Sequence, residues 1–107
     1  MNIQEIENGK IDISTSNEQW IVLHFYTKWC PTCKRVGIVL EEIEELHPEI
    51  CIIEIDVDAY QDLSNLYKVR TAPTLLFFKK GEIKYIHHGY LSVEEFEVIT
   101  HNNSTTD

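Results

Sequence analysis

The stretch Trp20-Ile21-Val22-Leu23-His24-Phe25-Tyr26-Thr27-Lys28-Trp29-Cys30-Pro31-Thr32-Cys33-Lys34-Arg35-Val36 passes from one hydrophobic periodicity to another. Residues 20–27 are β-branched and aromatic at successive positions, the pattern of a strand buried on both faces, with His24 its one strongly polar interruption. From Pro31 onward the apolar residues Val36, Val39, Leu40, Ile43 and Leu46 fall three and four apart, which predicts a helix over 31–46. Pro31 suits the first turn, where a missing N–H costs nothing, and His47-Pro48 supplies the stop. Cys30 and Cys33 therefore stand at a strand-to-helix junction, separated by two residues and able to close a small disulfide. At the N-terminal edge of the helix, Cys30 meets unpaired backbone N–H groups and the positive end of the macrodipole, both of which stabilise a thiolate.

A bare Cys-x-x-Cys fits half of a zinc site as readily as redox work. A zinc site needs two more ligands, and no second Cys-x-x-Cys or Cys-x-x-His exists, so no metal is expected. Three cysteines are an odd number for a disulfide-stapled secreted domain, whereas one close pair in a reducing compartment suits redox or metal chemistry. Cys51, left over, reads as a small core residue on a strand. His87 and His88 are adjacent on a strand, face opposite sides and cannot readily share a metal.

The chain has 107 residues, enough for one domain with one core, and 18 acidic against 9 basic residues give a net charge of −9. That charge disfavours nucleic acid and anionic membranes as partners. Residues 1–10 lack the basic start and apolar run of a secretory signal, and no later run reaches membrane-spanning length, so a cytoplasmic location is expected. Residues 50–57 read as a second buried strand and 59–67 as a short helix, giving a right-handed βαβ candidate. Residues 74–78 and 83–89 read as two strands joined through Lys79-Lys80-Gly81-Glu82 into an antiparallel hairpin. Ser92 caps a last helix, with Glu95 completing a capping box and Val93, Phe96 and Ile99 forming the apolar stripe. Glu41, Glu42, Glu44 and Glu45 read as a solvated face, and residues 102–107 as a frayed tail. Residues 2–6 fit an edge strand or a helical turn, and 10–16 are equally ambiguous.

Trp29-Cys30-Pro31-Thr32-Cys33-Lys34 resembles the active site of the thioredoxin family, and Thr71-Ala72-Pro73-Thr74 resembles that family's cis-proline loop. The combination is specific: a Trp before the first Cys, a Pro-Thr opening a strand 40 residues after the second, the Lys-Lys-Gly-Glu turn, and Gly89 ending the next strand. The likeness runs from about residue 20 to 96. It implies an α/β thioredoxin fold, a central mixed β-sheet flanked by helices, as one domain over 1–107.

The resemblance also implies a mechanism. The Cys30 thiolate attacks a substrate disulfide, and Cys33 resolves the mixed disulfide, moving two electrons without a cofactor. The implied partners are protein disulfide substrates and a thioredoxin-reductase-type electron donor, with the chain itself a monomer. Trp29 supplies an apolar shelf beside Pro31 and Thr32. A cis Pro73 leaves the backbone of Ala72 open to an extended substrate segment. No Asp or Glu occurs over 19–40, while Lys28, Lys34 and Arg35 do, a sign that suits a thiolate better than a helix N-terminus.

Departures from the family pattern are as informative. Pro31-Thr32 stands where common thioredoxins have Gly-Pro, and Ile38 replaces the proline that kinks the long helix, which predicts a straighter one. His24 stands where the family buries an Asp, and Glu54 where it has a Lys, an inversion of sign. We expect the two to pair beneath Cys33, with His24 taking and returning the Cys33 proton, since imidazole titrates nearer neutral pH than a carboxylate. A cationic His24 held by Glu54 would also stabilise thiolate and make the disulfide a stronger oxidant. A neutral buried histidine with one hydrogen bond is the competing reading. Three functional classes follow: a thiol-disulfide reductase, a more oxidising exchanger or isomerase, and a binding module of the same fold.

Overall fold

The computed structural model describes residues 3–5 and 19–104. In chain order its elements are β1 (Ile3–Glu5), β2 (Trp20–Tyr26), α1 (Pro31–Leu46), β3 (Cys51–Asp56), α2 (Gln61–Leu66), β4 (Thr74–Lys79), β5 (Glu82–His88) and α3 (Val93–Ser104). The strands form one sheet in the order β1-β3-β2-β4-β5, parallel on the β1-β3-β2 side and antiparallel from β2 through β4 to β5. The expected mixed sheet flanked by helices is thus present.

β2 lies at the centre because both its faces are apolar. Its period of two sends Trp20 and Val22 into one core and Ile21, Leu23 and Phe25 into another. The first core is closed by α1 and α3 through Val36, Leu40, Ile43, Phe96 and Ile99, with Phe77 of β4 packed against Trp20 and Phe96. The second is closed by Leu63 of α2 together with Ile55, Leu76 and Phe78. His24 has the parity of Trp20 and Val22, so it lies under α1 and α3.

Several boundaries move for local reasons. β4 and β5 each extend inward, pairing Lys79 with Glu82, so the link is a two-residue turn rather than four. Lys80 (φ 56°) and Gly81 (φ 78°) both have positive φ, as a type I′ hairpin turn requires. Lys79 remains in the strand because its side chain is buried with Nζ 5.1 Å from the Trp20 ring centroid. The α2 helix begins at Gln61 rather than 59 because the Asp56 carbonyl first accepts the N–H groups of Ala59 and Tyr60 in a turn.

The Ser92–Glu95 capping box forms as expected: Glu95 N–H donates to Ser92 Oγ at 3.1 Å, and Ser92 N–H to Glu95 Oε1 at 2.9 Å. The helix it starts continues to Ser104, through part of the segment read as a tail, while 105–107 lie outside the described residues. Residues 3–5 resolve as an edge strand, and 10–16 lie outside the described residues. Glu41, Glu42 and Glu45 are exposed and Glu44 is half-buried. Cys51 is half-buried beside the α2 core rather than within it, and burial pushes its thiol pKa up.

Candidate active site

The dithiol stands where β2 hands the chain to α1. Cys30 is the N-cap of α1, with φ −101° and ψ 106°, and its Sγ accepts the Cys33 N–H at 3.0 Å. A sulfur thus occupies the position that a serine or aspartate oxygen usually fills. It sits on the orphan N–H groups that favour negative charge. Cys30 and Cys33 form a disulfide, with their Cα atoms 5.2 Å apart. The two sulfurs are not equivalent in access. Cys30 is half-buried, whereas Cys33, one turn inside the helix, is 3% exposed. Trp29 beside them is 84% exposed, Pro31 is exposed, and Thr32 is half-buried.

Across from Cys30 lies the loop before β4. The Ala72–Pro73 peptide bond is cis, and Cys30 Sγ lies 3.8 Å from the Ala72 carbonyl oxygen. The loop is braced from both sides. Thr74 Oγ1 donates to the Thr71 carbonyl at 2.7 Å, and Gly89, at φ 87°, donates its N–H to the Pro73 carbonyl at 2.9 Å. His88 Nδ1 is 3.2 Å from Thr74 Oγ1, whose hydrogen is already given to Thr71, so the imidazole nitrogen is the donor there. His87 instead turns Nε2 to the Tyr90 carbonyl at 2.9 Å, so the two histidines do diverge.

Beneath the disulfide the sheet carries its polar insertion. His24 and Glu54 are direct register partners on β2 and β3, and His24 Nδ1 lies 3.1 Å from Glu54 Oε2. His24 is 1% exposed, while the Glu54 side chain keeps 27% exposure. His24 Nε2 has no hydrogen-bond partner among the described residues. The pair opens with Cys33, Lys34 and Gly37 into a cavity of about 310 Å³. Gly37, one turn after Cys33, stands over Glu54, and a Cβ there would meet Glu54 Oε2 at 3.9 Å, an ordinary van der Waals contact.

The cations expected around the dithiol are exposed, but two are engaged. Lys28 Nζ lies 3.9 Å from Asp56 Oδ2, and the Arg35 guanidinium stacks 4.4 Å from the Tyr90 ring centroid. Among the described residues no group of three or more His, Cys, Asp or Glu is arranged to hold a metal ion.

A family model described as Thioredoxin matches residues 3–101. The chain belongs to the thioredoxin family. Thioredoxin of Bacillus subtilis is 32% identical over 89 residues, covering 82% of this chain and 86% of that one. Thioredoxin of Mycoplasmoides gallisepticum is 28% identical over 89 residues, 83% of this chain and 89% of its own. Among solved structures, chloroplastic thioredoxin z superposes with a TM-score of 0.80 over 97% of this chain and 96% of its own, at 23% identity, a likeness of fold. Fasciola hepatica thioredoxin gives 0.73 at 27% identity, over 80% of this chain and 83% of its own. With its paired cysteines in place, this thioredoxin-family chain is a protein thiol-disulfide oxidoreductase.

The structure gathers Trp29, Cys30, Pro31, Thr32, Cys33, Ala72 and Pro73 at one end of the sheet, with His24 and Glu54 below. Three neighbours were missed in the sequence. Gly37 had a visible signal, a glycine in mid-helix four residues after Cys33, where glycine is disfavoured without a reason. Tyr90 and His88 had none: His88 comes opposite Thr74 only through the register shift between Phe77 and Phe78, and Tyr90 meets Arg35 only across the fold.

Proposed function

We propose that this chain reduces protein disulfides, with Cys30 as the attacking nucleophile and Cys33 as the resolving thiol. The observation that carries the assignment is the asymmetry of the pair. Cys30 is the more accessible sulfur, at a helix N-cap beside the backbone carbonyl of Ala72, and Cys33 is the enclosed one. A substrate disulfide approaching over Trp29 and Pro31 meets Cys30 first, and an extended substrate segment can pair with the Ala72 backbone alongside. The Cys30 thiolate then breaks the substrate S–S bond and forms a mixed disulfide. Cys33 attacks Cys30 Sγ, the second substrate sulfur leaves as thiolate, and the Cys30–Cys33 disulfide closes.

The resulting disulfide is returned to the dithiol by a thioredoxin-reductase-type donor. The chain works as a cytoplasmic monomer, where one catalytic pair and one unpaired Cys51 suit a reducing compartment. A second reading, a more oxidising exchanger or isomerase, is favoured by the His24–Glu54 pair, because an imidazole beneath the dithiol stabilises the reduced form whenever it is protonated.

The equilibrium redox potential of the Cys30/Cys33 pair in glutathione or dithiothreitol buffers, followed by Trp29 fluorescence, separates the two. A value of about −270 mV, familiar for thioredoxin, supports the reductase, and one of about −180 mV or above supports the exchanger.

A further inference from the structure

Lys28 is compensated by Asp56, but Arg35 has no carboxylate partner among the described residues. Its guanidinium lies over the Tyr90 ring, 4.4 Å from the centroid. Two carboxylates line the same cleft of about 400 Å³, Glu42 two turns along α1 and Glu94 on α3, and Arg35 pairs with neither. A cation near the start of a helix opposes the macrodipole, and without an ion pair nothing in the helix offsets that cost. The aromatic ring engages the face of the guanidinium and leaves its N–H edges free to grip a planar anion.

The stack stands at the rim of the substrate site. Tyr90 follows Gly89, whose N–H holds the Pro73 carbonyl, so its backbone is tied to the cis-proline loop. Arg35 comes four residues after Pro31 on the same face of α1, and both are exposed. A segment that pairs with the Ala72 backbone and crosses Pro31 to reach Cys30 therefore passes within reach of the guanidinium. Lys34 and Arg70 are exposed beside the dithiol and the cis-proline loop, and neither has an ion pair among the described residues. The exposed acids Asp58 and Asp62 belong to the segment after β3, on the other side of β2 from β4 and β5. The uncompensated cations thus gather on the α1 and cis-proline side of the site.

We propose that Arg35, held in place by Tyr90, is a specificity residue that receives a substrate carboxylate, so that the chain favours disulfides flanked by acidic residues. The proposal rests on the disulfide-reductase reading above and names its substrate class. The ligand is a peptide segment with Asp or Glu close to the attacked cysteine, its carboxylate gripped by two parallel N–H···O bonds from the guanidinium. Net charge acts in the opposite sense, because a chain at −9 repels acidic partners at long range. At ~0.15 M ionic strength the screening length is about 8 Å, so distant charge is damped and the groups at the rim decide. The two effects predict opposite preferences.

The test uses a pair of disulfide-bonded peptides of one sequence, with the residues flanking the cystine Glu in one and Lys in the other. The rate at which each oxidises the reduced chain, read by Trp29 fluorescence at ~0.15 M salt, is divided by its rate with dithiothreitol, which removes the intrinsic difference between the peptides. For the unmodified chain the expected ratio of Glu peptide to Lys peptide is about 10. Arg35→Met keeps the bulk and removes the charge, and the ratio falls to about 1 or below, where net charge alone acts. Tyr90→Leu releases the guanidinium and lowers the ratio about threefold, whereas Tyr90→Phe keeps the ring and the ratio with it. An arginine that served only to stabilise the Cys30 thiolate would change both rates alike and leave the ratio in place. A ratio unmoved in Arg35→Met or in Tyr90→Leu therefore overturns the proposal, as does a ratio at or below about 1 in the unmodified chain. Failure of both peptides to oxidise the unmodified chain would instead overturn the reductase reading itself.

Discussion

The two faces of β2 are built from the same kinds of residue and put to different ends. On the α2 side, Ile21, Leu23, Phe25, Ile55, Leu76 and Phe78 form an uninterrupted apolar layer whose burial stabilises the fold and does no chemistry. On the α1 side the layer runs from Trp20 through Val22, Leu40 and Phe77, and then breaks at His24 and Glu54, just where α1 begins with the disulfide. A buried imidazole with one nitrogen unpartnered among the described residues is poorer packing than a leucine. The break lies under Cys33, at the end of the sheet that carries the loops.

The comparison can be broken at several points. The largest expected effect is on chemistry alone: Cys30→Ser should lower disulfide reduction at least about 1,000-fold, with the melting temperature of the reduced chain little changed. A variant that keeps its turnover would reduce the fold to a binding module. Next, truncation of the purely structural face, Leu23→Ala or Leu76→Ala, should cost about 2–5 kcal/mol in urea unfolding while the pH profile of Cys33 resolution stays as it was. A shifted profile would show that the α2 face also tunes the dithiol.

His24→Leu should do the reverse, slowing resolution while raising stability by about 1–3 kcal/mol, because an unsatisfied buried nitrogen is replaced by apolar volume and Glu54 can still reach solvent. A loss of stability would mean that the histidine is held for packing. Smaller still, Ser92→Ala should cost about 1 kcal/mol through the lost cap, without touching the redox potential. The smallest effect concerns Cys51. Its thiol pKa is raised by burial, so less of it is thiolate at neutral pH, and iodoacetamide should label it more slowly than an ordinary cysteine, with the gap closing as pH rises. Fast labelling at neutral pH would place Cys51 in solvent.

Much of this was legible in the chain. The strand-to-helix switch at residues 20–46 shows in the change of hydrophobic period, and the capping box at Ser92 and Glu95 is local in sequence and formed as written. The pairing of His24 with Glu54 is visible in their places in the family pattern, and the parallel register of β2 and β3 makes them neighbours. What stayed hidden depends on register and on segments meeting. The Lys28–Asp56 contact needs β2 beside β3, and the bracing of Thr74 by His88 needs the register shift between Phe77 and Phe78 within the hairpin. The hairpin turn is two residues shorter than the charge pattern suggests because Lys79 is a cation that the strand nevertheless buries against Trp20. Charge read as solvent exposure fails wherever an aromatic ring accepts the cation.

The most direct measurement is to trap the intermediate. Cys33→Ser, reduced and mixed with a disulfide-bonded protein such as insulin, should accumulate a covalent adduct that peptide mapping by mass spectrometry locates on Cys30 and that dithiothreitol releases. No adduct, or an adduct on Cys51 with Cys30 free, would contradict the assignment of Cys30 as nucleophile and with it the reading of this end of the sheet.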